Sequence, residues 1–467
     1  MHLKIATGAA VAALMLGLAA TAPALADTIE ASLVRAYQNN PQLNAQRAAV
    51  RVTDETVPQA LSGYRPKVSI TASAGYQYND TVTNTPSGPG AITSAHIQGA
   101  NPPRSVGATI TQTLYNGQQT ANRTRSAESQ VSSAREGLRV MEQTVLFAAA
   151  TIYMDYLRDA AIVEVQRSNT RVLEQTLKQT QDRFNVGEVT RTDVAQSEAQ
   201  LAAGRTQQLI AEANLVTTRA NFRRIIGTEP ENLAPASPVD RFLPPTLGKA
   251  YDIGLTENPN VTSAMYGIDV SFLNVKVAEG ALFPTVSLVG SIQQAYENTL
   301  TVYRSLSASA VAQLSVPVYQ GGAEYSLIRQ SKETLAQQRL NLEQVRDQTR
   351  ATIAQAWGQL QSTKSQVQSA QSQVTASETA LNGVREEARV GQRTTLDVLN
   401  AQQALVNARN SLVTAQHDRV VASYSVLSAV GRLSPTVLGL PTTVYDASVH
   451  YQQVRDSWAG VRTPDGR

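Results

Sequence analysis

The stretch RFNVGEVTRTD, Arg183–Asp193, returns later in the chain as EARVGQRTTLD, Glu387–Asp397. Both stretches contain Val-Gly, a Thr three residues after the Gly and an Asp six residues after it. Their glycines, Gly187 and Gly391, are 391 − 187 = 204 positions apart. Because glycine readily adopts the left-handed conformation that ends a helix, each stretch predicts a tight turn. A turn that occurs twice indicates a duplicated unit.

Other motifs extend the duplication along the 467-residue chain. Tyr115 in LYNG and Tyr319 in VYQGG share the offset of 204, whereas Asn40-Pro41 and Asn258-Pro259 are 258 − 40 = 218 positions apart. The first copy therefore has 218 − 204 = 14 additional residues, which fall between Pro66 and Tyr115. The predicted organisation is a first repeat over 27–227, a Pro-rich linker over 228–249, a second repeat over 250–431 and a polar C-terminal tail over 432–467.

Long proline-free stretches before each turn predict helices. Gly117–Phe184 and Gly321–Arg389 contain no proline, and at 1.5 Å per residue each helix would be about 100 Å long. The second stretch carries a heptad pattern with small residues in one of its two seams, which allows close helix packing. The seams are Ile353, Leu360, Val367, Val374, Leu381 and Ala388, and Ala356, Thr363, Ala370, Ser377 and Val384. Shorter helical stretches follow each turn, which predicts two antiparallel helical hairpins with tips at 186–193 and 390–397. A soluble helix bundle is the alternative.

Alternating apolar and polar residues predict strands at about 67–79 and 105–115 in the first repeat, and at about 285–296 and 305–318 in the second. Strands of this length, with tyrosines near several ends, are typical of an outer-membrane barrel wall. A half-buried sheet in a soluble domain is the alternative. The segment from Asn79 to Arg104 is rich in Pro, Gly, Ser and Thr, so it predicts a loop at the extracellular end of the strands.

The N-terminus predicts a signal peptide over 1–26. Lys4 precedes the apolar run from Ile5 to Ala20, and Ala24-Leu25-Ala26 fits a cleavage site. A membrane anchor helix is the alternative, but the run is shorter than the roughly 20 residues that a span needs. No later stretch predicts a membrane-spanning helix, so any crossing is expected to use strands.

Four strands are too few to close a barrel, since even a narrow one needs about eight. Unpaired strand edges are not tolerated in lipid, so several chains are expected to share one barrel. Two chains would give eight strands with a filled interior, and three would give twelve with room for a lumen, which we favour. The predicted fold class is mainly α with membrane β: a long antiparallel coiled-coil helical barrel and a 12-stranded transmembrane β-barrel that a trimer shares.

The tip motifs RFNVGEVTRTDV and VGQRTTLDVLNAQQALVNAR resemble those of the TolC family of outer-membrane channels. The resemblance covers nearly the whole mature chain. It implies a homotrimer in outer-membrane lipid, a helical tunnel across the periplasm, and a role in type I secretion or multidrug efflux. The implied partners are a periplasmic adaptor (membrane fusion) protein and an inner-membrane ABC, RND or MFS transporter, with no cofactor and no nucleic acid. The net charge of +3 is likewise too small to argue for nucleic acid.

The resemblance also implies an entrance gate in which Thr192 and Asp193 link to Arg393, and a ring of Asp397 carboxylates in the lumen. The family has a Tyr three residues before the second tip glycine and a second acidic ring, where this chain has Ala388 and Asn400. The Tyr link is therefore expected to be absent or replaced, and cation selectivity to be weaker. The alternative is that the two aspartates are helix N-terminal acids favoured by the helix dipole.

We expect the tips to dock the adaptor, because an apolar side chain at an exposed turn indicates a partner that covers it. The alternative is that each valine packs against its own hairpin. The expected docking residues are Val186, Gly187 and Thr190 in the first tip and Val390, Gly391 and Thr394 in the second.

Other function classes fit the sequence less well. An enzyme is not expected, because the histidines are scattered and no nucleophile motif is present, and the absence of cysteine excludes thiolate chemistry and a lipidated Cys. The alternative function is a periplasmic coiled-coil adaptor or scaffold protein without a pore. Five Met and four His give few metal ligands, so no metal site is expected and metal efflux is disfavoured. The sequence does not distinguish protein secretion from drug efflux.

Overall fold

The structure, a computed structural model, describes residues 27–464 and 466. The predicted signal peptide lies outside the described residues. The first repeat comprises helices α1 (Ile29–Asn39), α2 (Pro41–Asp54) and α3 (Thr56–Leu61), strands β1 (Lys67–Ala74), β2 (Gln77–Gly88), β3 (Ala91–Asn101) and β4 (Arg104–Asn116), and helices α4 (Gln119–Asn185) and α5 (Arg191–Ile226). The second repeat comprises α6 (Leu247–Glu257), α7 (Pro259–Gly280), β5 (Thr285–Thr299), β6 (Val302–Ser315), α8 (Ala323–Arg389) and α9 (Thr395–Val430), and the tail carries α10 (Pro435–Leu438) and α11 (Ser448–Val454).

The repeated Asn-Pro motif fixes the same junction in both copies. Asn40 caps α2 by accepting from the backbone N–H of Gln42 at 2.9 Å, and Asn258 caps α7 by accepting from that of Asn260 at 2.9 Å. Proline follows at the first helical position, where its missing N–H costs nothing. Each Asn side chain also donates to a carbonyl in the last turn of the hairpin's returning helix, that of Ile225 in α5 and that of Ala429 in α9. The motif thus satisfies two helix ends at once.

The long helices form hairpins that pack side by side. Helix α4 pairs with α5, α8 pairs with α9, and α9 also packs against α4. Helix α8 buries one narrow stripe, which contains much of the predicted heptad pattern. Its buried residues are Ile328, Leu335, Leu342, Thr349, Ile353, Ala356, Leu360, Thr363, Ala370, Val374 and Leu381. No helix within residues 27–464 combines the length and apolar character that a membrane crossing requires.

A four-stranded antiparallel sheet, in the order β1-β4-β5-β6, lies at the end of the long helices that is remote from the hairpin turns. Its register places side chains of one kind side by side across all four strands. The apolar rows are Val68, Ile110, Gly290 and Ala310, and Ile70, Ala108, Ile292 and Ala308. The row between them on the opposite face is Ser69, Thr109, Ser291 and Ser309, with 2.8 Å between the last two hydroxyl oxygens. The sheet therefore has one apolar and one polar face, and most side chains on both are exposed or only partly buried.

The prediction of a loop between Asn79 and Arg104 is wrong. This segment forms most of β2 and β3, which pair antiparallel in a separate two-stranded sheet. Pro86, Gly88, Pro89 and Gly90 lie at the turn, where Gly90 has a φ of +85°, and Pro102-Pro103 follows the end of β3. Thr, Val and Ile occupy much of the flanks, and these β-branched residues favour strands. At its base the hairpin contacts the end of β5, where Gln77 Nε2 donates to the carbonyl of Asn298 at 3.4 Å.

The largest core cluster lies midway along the helices, where the N-terminal helix, the linker and the tail cross α4. Tyr153 of α4 is fully buried, and its hydroxyl oxygen lies 2.8 Å from the carbonyl oxygen of Asp27 and 2.6 Å from that of Ala234, so the two carbonyls share its single proton. Leu433 and Leu438 at the start of the tail are buried in the same cluster. These contacts fix the linker and the tail to the helical wall.

Candidate functional site: the two hairpin tips

Both tips leave their long helix through the same hydrogen-bond pattern. In the first, the N–H of Gly187 donates to the carbonyl of Phe184 at 3.0 Å and that of Glu188 donates to Arg183 at 2.9 Å. In the second, the N–H groups of Gly391 and Gln392 repeat these bonds at 3.2 and 2.9 Å. This is the Schellman arrangement, which needs a left-handed residue at the glycine position. Gly187 and Gly391 have φ of +79° and +80°, which explains why glycine occurs at both turns.

A reciprocal capping box starts each returning helix. Asp193 Oδ2 accepts from the N–H of Thr190 at 2.9 Å, and the Thr190 hydroxyl oxygen accepts from the N–H of Asp193 at 3.3 Å. Thr394 and Asp397 make the same pair of bonds at 3.0 and 3.2 Å. The Thr-x-x-Asp spacing is a local signal for such a box, although it was not among the features predicted from the sequence. Thr190 and Thr394, expected to be docking residues, thus act as helix caps.

These bonds stabilise the charged form of both aspartates. Bonds from the side chain and backbone of Thr190 hold the pKa of Asp193 below its usual range. The backbone and side chain of Thr394 lower the pKa of Asp397 in the same way. A carboxylate whose pKa is lowered by folding stabilises the fold above its unfolded pKa, and this stabilisation is lost as the pH falls through the folded pKa. We therefore expect the tips to keep their caps at neutral and mildly acidic pH.

Each tip has one ion pair, and the two pairs have opposite polarity. In the first, Arg183 Nε donates to Glu188 Oε2 at 3.0 Å. In the second, the position equivalent to Arg183 is Glu387, and it accepts from Arg393 Nε at 2.8 Å. Each pair joins the last turn of the long helix to the residues after the glycine. The tips therefore share a backbone but present different charges to a partner.

The apolar side chains at the tips lie open. Val186 and Val390 are 72% and 66% exposed, so the alternative in which each packs against its own hairpin is wrong for this chain. Phe184 and Leu396 are exposed beside them at 42% and 43%. Apart from the adjoining residues, no heavy atom of the part of the chain that the structure describes lies within 4 Å of the position that a Cβ would take at Gly187 or Gly391. The tips are thus a surface of backbone and small apolar groups on which a partner can pack.

The predicted gate residues lie at the tips, but the structure does not join them within one chain. Among the described residues, no hydrogen bond or ion pair joins Arg393 to Thr192 or Asp193, because Arg393 pairs with Glu387 and Asp193 with Thr190. Asp397, predicted to form a lumen ring, is engaged by Thr394. The alternative for both aspartates, that they are helix N-terminal acids, is confirmed by the capping boxes. A link between neighbouring chains stays a prediction.

Polar contacts that the sequence did not indicate hold the two hairpins together near the tips. Gln402 of α9 donates to Asn169 of α4 at 3.3 Å, and both side chains are buried. Arg385 of α8 donates to the same Gln402 at 3.0 Å, and Gln200 of α5 donates to Gln403 at 3.2 Å. Glutamine is common on exposed helix faces, so its burial here carries no local sequence signal. The Arg385 bond lies within the second hairpin and orients Gln402, whereas any separation of the hairpins has to break the bonds of Gln402 to Asn169 and of Gln200 to Gln403.

A partly buried ion cluster joins the hairpins closer to the middle of the molecule. His417 of α9 is hydrogen-bonded to Asp155 of α4 at 2.9 Å and to Asp418 at 2.8 Å. Burial alone would lower the pKa of His417, but the bonds to these two carboxylates together raise it. Arg158 pairs with Asp155 and with Asp159 at 2.8 Å each. The cluster fixes the position of α9 on α4 above the tips.

Replacing Thr190 with Ala should loosen the start of α5 without unfolding the chain. The variant loses one cap, which costs about 1 kcal/mol locally. Backbone amides of Arg191–Val194 should exchange hydrogen faster, while those of the matched second tip, Thr395–Val398, should be unchanged. Thr190→Ser keeps the hydroxyl and is the control. Equal exchange in the Ala and Ser variants would contradict a capping role.

The comparisons with known proteins agree with this geometry. The family model described as Outer membrane efflux protein matches residues 33–228 and 250–432, which closely follow the two repeats. The chain is 39% identical over 445 residues to the outer membrane efflux protein BepC of Brucella suis biovar 1 (strain 1330), covering 95% of this chain and 94% of BepC. It is 22% identical over 427 residues to the outer membrane protein TolC of Escherichia coli (strain K12), covering 86% and 83%.

A crystal structure of CusC has the same fold. It superposes with a TM-score of 0.75 at 16% identity and covers 87% of this chain and 92% of the CusC chain. The duplicated hairpins, the four-stranded sheet and the sequence match agree on one assignment. This chain belongs to the outer membrane efflux protein family, the family of TolC-like channels.

Proposed function

We propose that this chain is the outer-membrane exit channel of a tripartite efflux or secretion system. It lies in the outer membrane with its helical part in the periplasm, and it works with a periplasmic adaptor and an inner-membrane transporter. BepC is an efflux protein by name, which favours efflux over protein secretion. The proposal assigns no catalytic step to the chain.

The exposed apolar face of the four-stranded sheet is the main support for an outer-membrane channel. Its register aligns an apolar face across β1, β4, β5 and β6, and Ile70 and Ile110 on that face are 77% and 49% exposed. A soluble sheet would cover such a face with a helix or a second sheet. Lipid on the apolar side and water on the Ser/Thr side fit both faces, as in a barrel wall. A periplasmic adaptor or scaffold without a pore would leave the apolar face in water.

The sheet edges support a shared barrel. Within the described residues β1 pairs with β4 alone and β6 with β5 alone, so each has one edge without a neighbour. Such edges are costly in lipid unless another chain pairs with them. Leu209 and Val216 of α5 and Leu340 of α8 are also 66–72% exposed, as is expected of helix faces that meet a neighbouring protomer. A homotrimer with twelve strands satisfies both observations and leaves a lumen.

A native mass measurement in mild detergent tests the assembly. We expect a species of three chains, and the same preparation should give discrete conductance steps in planar lipid bilayers. A stable monomer that gives no conductance would overturn the proposed channel. A stable dimer that conducts would instead overturn the twelve-stranded arrangement alone.

The tips are the proposed docking surface for the adaptor. Val186 and Val390 are exposed next to turns with open space around their glycines. A trimer would present six such tips, three of each charge pattern, which suits a ring of hairpins from a partner. The proposed inner-membrane partner is a transporter of the ABC, RND or MFS class.

The proposed gate links Arg393 of one tip with Thr192 and Asp193 of another chain. Arg393→Ser or Asp193→Asn should raise single-channel conductance, with the largest rise in the double variant, because each change removes one partner of a charge-assisted bond. Asn preserves an oxygen that can accept the cap bonds of Thr190. Arg183→Ser removes the matching ion pair of the first tip and serves as the control. If Arg183→Ser opens the channel as much as Arg393→Ser, the link is not specific to the proposed gate.

A further inference from the structure

The C-terminal tail follows the helical wall toward the sheet. Helix α11 lies on α2 and α4, where His450 is hydrogen-bonded at 3.0 Å to the fully buried Asp54. The ring of Tyr451 packs against Val57 and Val131, and the guanidinium of Arg135 lies 5.1 Å from its centre. These contacts fix the direction in which the chain leaves α11.

The tail then reaches the base of the first strand. Arg65, which stands two residues before Lys67 at the start of β1, donates to the carbonyl of Ser457. Its guanidinium lies 4.7 Å from the centre of the Trp458 ring, at cation–π distance. Trp458 nevertheless remains 72% exposed, and Val461 is fully exposed. An indole held in place by a cation but left uncovered indicates a surface that something else contacts.

Through its contact with Arg65, Trp458 lies at the helical end of β1, and aromatic residues flank the strands at that same end. Each of the four strands of the large sheet has one such residue at or next to this end, and all are exposed. They are Tyr64 before β1, Tyr115 in β4, Phe283 before β5 and Tyr319 after β6, with exposures of 52%, 42%, 52% and 76%. Trp458 adds an aromatic side chain to this end from outside the strands.

We propose that the tail binds phospholipid headgroups of the periplasmic leaflet of the outer membrane, with Trp458 and Arg65 as the contact residues. The inference rests on the proposed function, since it requires the apolar face of the sheet to lie in lipid. Indole rings prefer the boundary between headgroups and acyl chains, because they are apolar with one polar N–H. A guanidinium beside the ring can bind the phosphate, and exposed Lys67 and Arg462 add positive charge nearby in sequence.

A lipid surface fits the position better than a protein partner. The tail, the linker and α1 lie together in one layer over α4, and the outside of a helical barrel has more room for such a layer than the lumen. On that side, Trp458 would lie at the level where the apolar face of the sheet begins. The tail would then act as a fixed interfacial anchor next to the strands.

Tryptophan fluorescence tests this directly, because the chain has two tryptophans, Trp357 and Trp458. The Trp357→Phe variant of the full-length protein, reconstituted into phosphatidylethanolamine–phosphatidylglycerol vesicles, leaves Trp458 as the sole tryptophan, which can be excited selectively over the tyrosines. We expect emission at shorter wavelength than in detergent, and strong quenching by phospholipids that carry a spin label near the headgroup. The Trp458→Phe variant leaves Trp357, on α8 in the helical part, as the matched control that these lipids should not quench.

Changes at Arg65 separate anchoring from folding. Arg65→Ala should reduce the lipid quenching of Trp458, and Arg65→Lys, which keeps a cation over the ring, should restore most of it. Strong quenching by aqueous iodide without quenching by labelled lipid would place Trp458 in water and overturn the inference. Emission at short wavelength that neither quencher affects would place it against protein and overturn it equally.

Conductance of the same vesicles shows whether a negative result concerns the tail anchor alone or the proposed channel as well. A channel that conducts while Trp458 stays unquenched by labelled lipid contradicts the tail anchor alone. If neither the wild-type protein nor the Trp357→Phe protein conducts, and labelled lipid also fails to quench Trp458, the proposed function and the tail anchor are both overturned.

Discussion

Replacing Ile110 with Lys is expected to prevent most of the protein from assembling in the outer membrane. Ile110 lies at the middle of β4, next to Val68 of β1 and Gly290 of β5 on the apolar face of the sheet. A lysine on the lipid-facing side of a barrel costs about 2–4 kcal/mol at the bilayer midplane. A trimer carries the substitution in each of its three chains, so the free-energy cost of placing lysine in lipid is incurred three times. The measurement is the amount of oligomer in outer-membrane fractions, together with urea titration of protein folded into vesicles.

The neighbouring residue supplies the control for this change. Thr109→Lys introduces the same side chain one position earlier, on the Ser/Thr face beside Ser69 and Ser291. That face would line water, so the variant should assemble normally, with a shift of ion selectivity toward anions. If both variants assemble equally well, or if Thr109→Lys is the more damaging, the apolar face does not meet lipid.

Leucine at both tip glycines is expected to abolish transport while leaving assembly intact. Gly187 and Gly391 adopt a left-handed φ, which costs a substituted residue about 1 kcal/mol or more. The space around both positions is open, so the leucines would not clash within the chain and would project toward a partner. The expected results are loss of drug resistance in cells, loss of cross-linking to the adaptor, and an unchanged amount of trimer in the membrane.

A glycine away from the tips provides the matched control. Gly248 in the first turn of α6 is also exposed. Apart from the adjoining residues, no described heavy atom lies within 4 Å of the position that its Cβ would take, and its φ is not left-handed. Gly248→Leu should therefore preserve transport and cross-linking. Cross-linking of the double tip variant at the wild-type level would show that the adaptor docks elsewhere on the helical wall.

The helices and turns follow from sequence alone, because their signals are local. Long proline-free heptads predict α4 and α8, and the Val-Gly pairs predict where they end. The structure adds the reason for the glycines, since the Schellman bonds require a left-handed residue. The capping boxes were equally local, in the form Thr190-x-x-Asp193, so the sequence held that information as well.

The strands show where local patterns become insufficient. Alternation predicted which residues of β1, β4, β5 and β6 share a face within each strand. Composition suggested a loop for Asn79–Arg104, but β2 and β3 pair with each other, because a hairpin depends on cross-strand contacts that composition does not contain. A threonine-rich segment is compatible with either a loop or a strand, and pairing with a second strand decides between the two.

Partners that are distant in the chain were decided by tertiary structure alone. The order β1-β4-β5-β6 aligns the apolar rows of two repeats, and nothing in one repeat specifies which strand of the other it meets. His417 pairs with Asp155, Gln402 is buried against Asn169, and the tail brings Trp458 to Arg65 across nearly 400 residues of chain. The duplication could be recognised from repeated motifs, and the helices and turns from patterns among neighbouring residues. The register, the ion pairs and the path of the tail required the folded chain, because their energies arise from contacts between segments that no local pattern relates.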